Sequence, residues 1–248
     1  MAADYSICLG TAGWGVWHSP DAGTSWIRHR APFPLNSRIQ ALVAHPKEAH
    51  TVLAGGDTGL FVSRDGGARW ERIGASGAVP TIWSLTIDPV DPDTLFAGTR
   101  PAAVYRSRDG GMRWEKLAVD IARECSIGVP FVTSVIVDPD DHRMVWAGVE
   151  IDGVFCSRDG GDTWTHLKTG LYDPDIHAVT IAATEPKRLY ASTAREVFQS
   201  RRQGARSWEL RTAVDLAALW AAQGQRERAQ ALLEPIFEAF VEGSIRQI

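Results

Sequence analysis

The sequence predicts a mainly β protein: a β-propeller of four-stranded blades, followed by a C-terminal α-helical hairpin. Three observations carry this. The octapeptide Ser-Arg-Asp-Gly-Gly-x-x-Trp occurs at residues 63–70, 107–114 and 157–164, with a variant, Ser-Pro-Asp-Ala-Gly-Thr-Ser-Trp, at 19–26. Its closing tryptophans lie 44 residues apart from Trp26 to Trp70 and from Trp70 to Trp114, then 50 apart from Trp114 to Trp164, a spacing that marks structural repeats. Short β-prone runs recur in fixed order around each copy, and after Gly204 the pattern switches to a helical period.

The octapeptide is expected to be a tight hairpin that satisfies its own polar groups. Glycine tolerates a left-handed backbone, and the aspartate carboxylate accepts bonds from nearby backbone N–H groups. The structural residues are then Asp21, Asp65, Asp109 and Asp159 in the turns, with Trp26, Trp70, Trp114 and Trp164 opening the next strand. Upstream of each copy lie apolar runs such as Ile39-Gln-Ala-Leu-Val-Ala-His-Pro, Trp83-Ser-Leu-Thr-Ile-Asp-Pro and Val132-Thr-Ser-Val-Ile-Val-Asp-Pro. These are inner strands stopped by proline. Second strands end in Ala-Gly, as in Val52-Leu-Ala-Gly, Leu95-Phe-Ala-Gly and Val145-Trp-Ala-Gly. A third strand enters the hairpin and a fourth begins at tryptophan, which makes four strands per period, the content of a propeller blade.

In chain order, residues 5–30 supply the last three strands of a blade whose inner strand is missing. Full blades follow at 36–73, 80–117 and 131–167, and a longer connection at 119–130 takes up the extra residues before the last of these. At 175–200 the pattern decays, because Ser200-Arg-Arg-Gln-Gly has lost the aspartate of the turn, although Trp208 still falls 44 residues after Trp164. The expectation is three full and two partial blades. The partial ends either combine into a four-bladed ring or stand apart in a five-bladed or incomplete ring, and the second is taken here. Residues 201–248 are rich in alanine, leucine, glutamate and arginine and are expected to form two helices turning at Gly224. The expected domains are therefore 1–200 and 201–248.

The four octapeptides and their flanks resemble the Asp-box (BNR) repeat of sialidase-like β-propellers, a group that includes photosystem II assembly-factor-like and sortilin-type proteins. In that family the Asp box lies on the hairpin away from the catalytic face. Residues 204–243, with the Leu-Leu-x-Pro step at Leu232 to Pro235, resemble the TPR-type helical hairpin that ends bacterial adenylate-cyclase-like regulators. Such a pair of helices does not bury its apolar face alone.

Composition narrows the function. The 248 residues are 44% hydrophobic with a formal net charge of −4, which gives no electrostatic case for nucleic acid or an anionic membrane, and no apolar run is long enough to span a bilayer. Cys8, Cys125 and Cys156 are widely spaced and are expected to be packing residues. The seven histidines are dispersed, with His45 in the pre-proline turn position of Asp88 and Asp138, so no metal site and no cofactor are expected. The sequence begins without a basic or apolar leader, so a cytoplasmic location is expected.

Candidate ligand residues sit where loops from fourth to inner strands, and from second to third strands, gather at one mouth of the channel. The first set holds Arg38, Trp83, Phe131 and His177, and the second holds Trp14, Asp57, Arg100, Glu150 and Glu196. Aromatics, arginines and carboxylates meeting there suit a polar ligand or peptide. The expected function is a non-enzymatic binding or assembly module for a protein or glycan partner, with self-association through the incomplete edge or the C-terminal hairpin. The alternatives are a sialidase-like glycoside hydrolase or a non-functional remnant of a rearranged gene. The resemblance implies that a sialidase needs a tyrosine nucleophile, an acidic partner and an arginine triad, and none of Tyr5, Tyr105, Tyr172 or Tyr190 stands out as that nucleophile. Catalytic residues are therefore expected to be none.

Overall fold

The computed structural model describes residues 5–74, 79–124, 128–167, 171, 173–182 and 188–201, with 226, 227 and 230. The expected C-terminal hairpin lies outside the described residues, save those last three positions, which by themselves establish no hairpin. Cys125 and Tyr172 also lie outside them. The described chain forms five antiparallel sheets in sequence order. Blade 1 has β1 (Ile7–Gly10), β2 (Val16–Ser19) and β3 (Ile27–His29). Blade 2 has β4 (Ile39–Ala44), β5 (Val52–Gly56), β6 (Gly59–Ser63) and β7 (Glu71–Ile73), and blade 3 has β8 (Thr81–Ile87), β9 (Leu95–Arg100), β10 (Val104–Ser107) and β11 (Glu115–Lys116). Blade 4 has β12 (Val132–Val137), β13 (Val145–Val149), β14 (Gly153–Ser157) and β15 (Thr165–Leu167). Blade 5 has β16 (Ala178–Ala182), β17 (Arg188–Ser192) and β18 (Val197–Arg201). The two three-stranded sheets stay separate, so the partial ends do not merge into one blade.

The octapeptide closes on itself the same way four times. Ser19, Ser63, Ser107 and Ser157 each donate to the aspartate two residues on and accept the N–H of the glycine four residues on, at 2.7–2.9 Å. Each aspartate accepts a backbone N–H four residues ahead, from Ser25, Arg69, Arg113 and Thr163. Each tryptophan indole N–H returns to the carbonyl of the second glycine. The left-handed turn is kept even where the first glycine is replaced, because Ala22 holds φ 55°. The carboxylates are consequently favoured in their charged form. Asp109 is pulled down to about 2, first by the Arg113 backbone N–H, and Asp159 to about 2, first by the Thr163 hydroxyl.

A second set of turns stops the inner strands. Asp88 accepts the N–H groups of Val90 and Asp91, and Asp138 those of Asp140 and Asp141. His45 does the same through Nδ1 with Lys47 and Glu48, as its position before proline anticipates.

Blades are joined by the glycine of the Ala-Gly step. Strand register makes Gly10, Gly55, Gly98 and Gly148 equivalent, each opposite a residue at or near the start of the third strand. A Cβ there would lie 2.5 Å from the Ile39 carbonyl at Gly10, 2.6 Å from Ile82 at Gly55, 2.5 Å from Val132 at Gly98 and 2.8 Å from Ile176 at Gly148. All four contacted residues belong to, or directly precede, the next inner strand. Four apolar clusters follow, one between each consecutive pair of blades, with Ala54, Ala97, Ala147 and Ala191 fully buried on the receiving faces. Among the described elements no comparable packing joins blade 5 to blade 1, so within the described residues these two blades stand at the ends of the array.

Those ends differ from the interior. At the glycine position blade 5 carries Ser192, opposite Val197, which is 45% exposed where Val16, Leu60, Val104 and Val154 are buried. Blade 1 carries Leu9, 48% exposed, in register with the buried alanines. Between blades 1 and 2, His18 and His29 stand 5.8 Å apart, each with one buried ring nitrogen that makes no hydrogen bond. Burial, then His18, holds the His29 imidazole below its ordinary range.

Three outcomes are expected. Gly98→Ala costs about 1–3 kcal/mol by overpacking the blade 3 to blade 4 contact, read as a lower midpoint in urea. Ser107→Ala costs about 1–3 kcal/mol by stranding the Gly111 N–H. The Asp-box contribution to stability is complete above about pH 4 and is lost as pH falls towards 2, so thermal melts should drop over that window and Asp109→Asn should flatten the drop.

Candidate functional site

Second-to-third strand turns and the starts of the inner strands lie at the end of the arc opposite the Asp-box hairpins. In blades 3, 4 and 5 this end gathers five of the residues singled out in the sequence. Trp83 occupies a β-bulge of β8, where the register shifts between Ile82 and Ser84, and it packs on Phe131 with ring centroids 4.0 Å apart. A bulge re-aims the side chain it carries, and Gln40 and Thr133 occupy the same bulge in β4 and β12. Phe131 precedes β12, accepts the Glu150 backbone N–H at 3.0 Å, and has the Arg100 guanidinium 5.6 Å from its ring.

Electrostatics bind the rest of the cluster. Glu150 follows β13 and its carboxyl is raised above the ordinary range, first by burial and then by Asp175, against the opposing pull of Arg100 and His177. His177 is anchored by its N–H to Ser192 and faces Asp175 through Nε2 at 3.5 Å. Asp175 keeps Oδ1 buried with no hydrogen bond. The result is an aromatic pair bordered by one guanidinium, one imidazole and two carboxylates that repel each other.

Asp175 was not among the expected site residues. Its only sequence signal is the turn Asp173-Pro-Asp ahead of an inner strand. The other four candidates are used locally. Trp14, in the β1–β2 turn, is covered by the Arg28 guanidinium at 4.5 Å, and Arg28 Nε donates to its carbonyl. Asp57 accepts the Arg38 backbone N–H at 3.0 Å, which ties the start of β4 to the β5–β6 turn. Glu196 closes the β17–β18 turn through backbone bonds to Thr193. No hydrogen bond, ion pair or ring contact among the described residues links Trp14, Arg38 or Asp57 to the Trp83 cluster.

A groove of about 430 Å³ lies at the other end, lined by Arg106, Arg108, Asp109, Arg113, Trp114 and Glu115. Its cations are already engaged. Arg106 is held by Glu115 at 2.6 Å, Asp162 at 2.7 Å and the Gly160 carbonyl, and Arg113 by Asp109 at 2.8 Å. This groove is the blade 3 to blade 4 seam of the Asp-box face and offers no free charge pattern for a ligand. No group of three or more metal-ligating side chains is present among the described residues. Cys8 and Cys156 are free thiols, and burial pushes Cys156 up to about 11.

No family profile and no curated protein sequence matches the chain. Solved structures do. An ancestral GH74 enzyme aligns over 80% of this chain and 28% of its own, with a TM-score of 0.64 and 19% identity. The GH74 enzyme of Niastella koreensis aligns over 81% of this chain and 28% of its own, at TM-score 0.55 and 20% identity. YCF48, solved bound to a D1 peptide, aligns over 84% of this chain and 63% of its own, at TM-score 0.57 and 14% identity. The chain thus spans little more than a quarter of the GH74 enzymes' length and just under two thirds of YCF48. At these identities the likeness establishes the fold, a β-propeller, and not an activity.

The raised Glu150 carboxyl makes a testable cost. Glu150→Gln removes the repulsion with Asp175, so it should raise the melting temperature at pH 7, and the gain should fade towards pH 4 as the native carboxyl takes up its proton. Calorimetry of the two proteins at both pH values reads the difference.

Proposed function

We propose that the chain is a non-enzymatic β-propeller module that binds a protein or glycan partner at the mouth formed by blades 3, 4 and 5. The observation that carries this is the Trp83–Phe131 pair, 4.0 Å apart, bordered by Arg100, Glu150 and His177. Flat aromatic area with charges of both signs at its rim is the composition of a recognition surface, since rings give contact area at low entropic cost and the charges fix orientation. A sugar face or a peptide side chain stacks on such a platform. The YCF48 likeness supports the protein arm of this reading, because that propeller is solved with a peptide.

A second reading is a glycoside hydrolase. It is favoured by Glu150 and Asp175, two carboxylates close enough for one to raise the other, which is the electrostatic relation between a general acid and its partner. The GH74 enzymes among the structural neighbours point the same way.

One set of titrations separates the two. Tryptophan fluorescence and calorimetry against oligosaccharide and peptide panels should give saturable binding that Trp83→Ala weakens by about 30-fold or more, the size of a hot-spot loss. Arg100→Ala, on an exposed side chain, gives a second reading independent of packing. Binding without turnover supports the module. Release of reducing ends from polysaccharide that disappears in both Glu150→Gln and Asp175→Asn supports the hydrolase and sinks the non-enzymatic reading.

A further inference from the structure

Blade 1 turns Cys8, Val16, His18 and His29 towards blade 2, with Cys8 and Val16 in the apolar cluster of that seam. Register sets His18 at the position of Val62 in blade 2, Arg106 in blade 3 and Cys156 in blade 4. His29 stands at the position of Ile73, Leu117 and Leu167. Two imidazoles thus occupy positions that hold apolar side chains or a single arginine in the blades that follow. His18 is 4% exposed, and a Cβ on Gly67 of the blade 2 Asp box would lie 3.1 Å from its ring. His18 Nδ1 and His29 Nε2 are buried with no hydrogen-bond partner among the described residues.

Arg106 shows what a charge at this position requires. It is held by Glu115, across from it on β11, by Asp162 in the Asp box of the next blade, and by the Gly160 carbonyl. The positions of those two carboxylates around His18 carry Ile27, across from it on β3, and Ala68, third after the Asp-box aspartate of blade 2. A proton on His18 therefore meets neither counter-charge. Among the described residues Asp65 is the acid that attracts a charged His29, and its carboxylate already accepts from Ser63 and the Arg69 N–H. Asp21, in the turn of blade 1, is taken by Ser19 and Ser25. Cys8, opposite His18, is pushed up by burial and stays neutral. The Arg28 guanidinium is stacked on Trp14, and His50 is exposed beside Gly66.

We propose that the blade 1 to blade 2 seam is an acid-released latch, closed while His18 and His29 are neutral and opened when they take up protons, with the later seams staying shut. The other end of the seam is the hinge: the Gly13 and Gly15 N–H groups reach the Ser37 carbonyl, and the Ile39 N–H reaches that of Thr11. Burial holds His29 below its ordinary range in the closed seam, so opening takes up protons and falling pH favours it. A histidine that accepts its proton only on opening raises the open fraction by up to about tenfold for each pH unit below about 6.5. The blade 3 to blade 4 seam responds the other way, because a proton on His142 meets the Asp88 carboxylate 3.1 Å away.

The test is hydrogen exchange of the full chain, followed by mass spectrometry at pH 7 and about pH 5.5 and corrected for the intrinsic exchange rate. Amides of β1–β3 should lose about tenfold or more of their protection at the lower pH, while those of β8, β9, β12 and β13 change by less than about twofold. His18→Val combined with His29→Ile installs the residues blade 2 carries at these positions and should abolish the loss. Ala68→Asp, at an exposed position, supplies the carboxylate that blade 4 offers Arg106 and should cut the loss to about threefold or less, a second reading should the double variant not fold. Unchanged protection of β1–β3 at the lower pH overturns the latch, as does an equal loss in every blade. A loss that survives undiminished in either variant also overturns it, since another group is then titrating.

Discussion

The close approach of each inner strand to the preceding blade's second strand governs this molecule. At Gly55, Gly98 and Gly148 the next strand comes within 2.8 Å of where a Cβ would stand, so the residue cannot be larger without moving a neighbour. That single constraint sets the distance between blades. It leaves the four apolar clusters as seams between sheets rather than one central core. The Asp box works on the other side of each blade. Its second glycine sits against the preceding blade, as Gly67 does on Cys8 and His18 and Gly161 on Phe96 and Leu117, so the same motif that closes a hairpin also spaces the array.

Much of this was legible because the repeat is written at both levels. The octapeptide specifies a turn whose polar groups are satisfied from within, so no partner elsewhere needs to be known. The blade limits expected at 36–73, 80–117 and 131–167 contain the four-stranded sheets found there. The meaning of the Ala-Gly step was less visible. In the sequence it looks like the end of a strand, and only the neighbouring blade shows it to be a contact. Whether the partial ends combine was settled by pairing, since β1 and β16 each belong to their own sheet.

The mouth was legible in part for a similar reason. Position in the repeat brought Trp83, Arg100, Phe131, Glu150 and His177 to one end, and they do converge. Position could not show that Asp57 would spend its carboxylate on the Arg38 backbone, or that Arg28 would cover Trp14. Nor could it find Asp175, whose importance comes from a carboxylate on another blade. Charges acting across blades leave no trace in a repeat that describes one blade at a time.

Among the described residues every seam joins only sequence neighbours, and an array of that kind behaves as a linear chain of cooperative units. Within them, interior blades have a seam on both sides and blades 1 and 5 have one. Blade 1 is further weakened by two histidine nitrogens buried without partners at its seam with blade 2. Opening therefore begins at the ends and travels inward, and the backbone amides of β8, β9, β12 and β13 are the last to exchange with solvent. The Trp83–Phe131 pair sits in the slowest part of that gradient, whereas His177 and Asp175, at the start of blade 5, lie where opening begins.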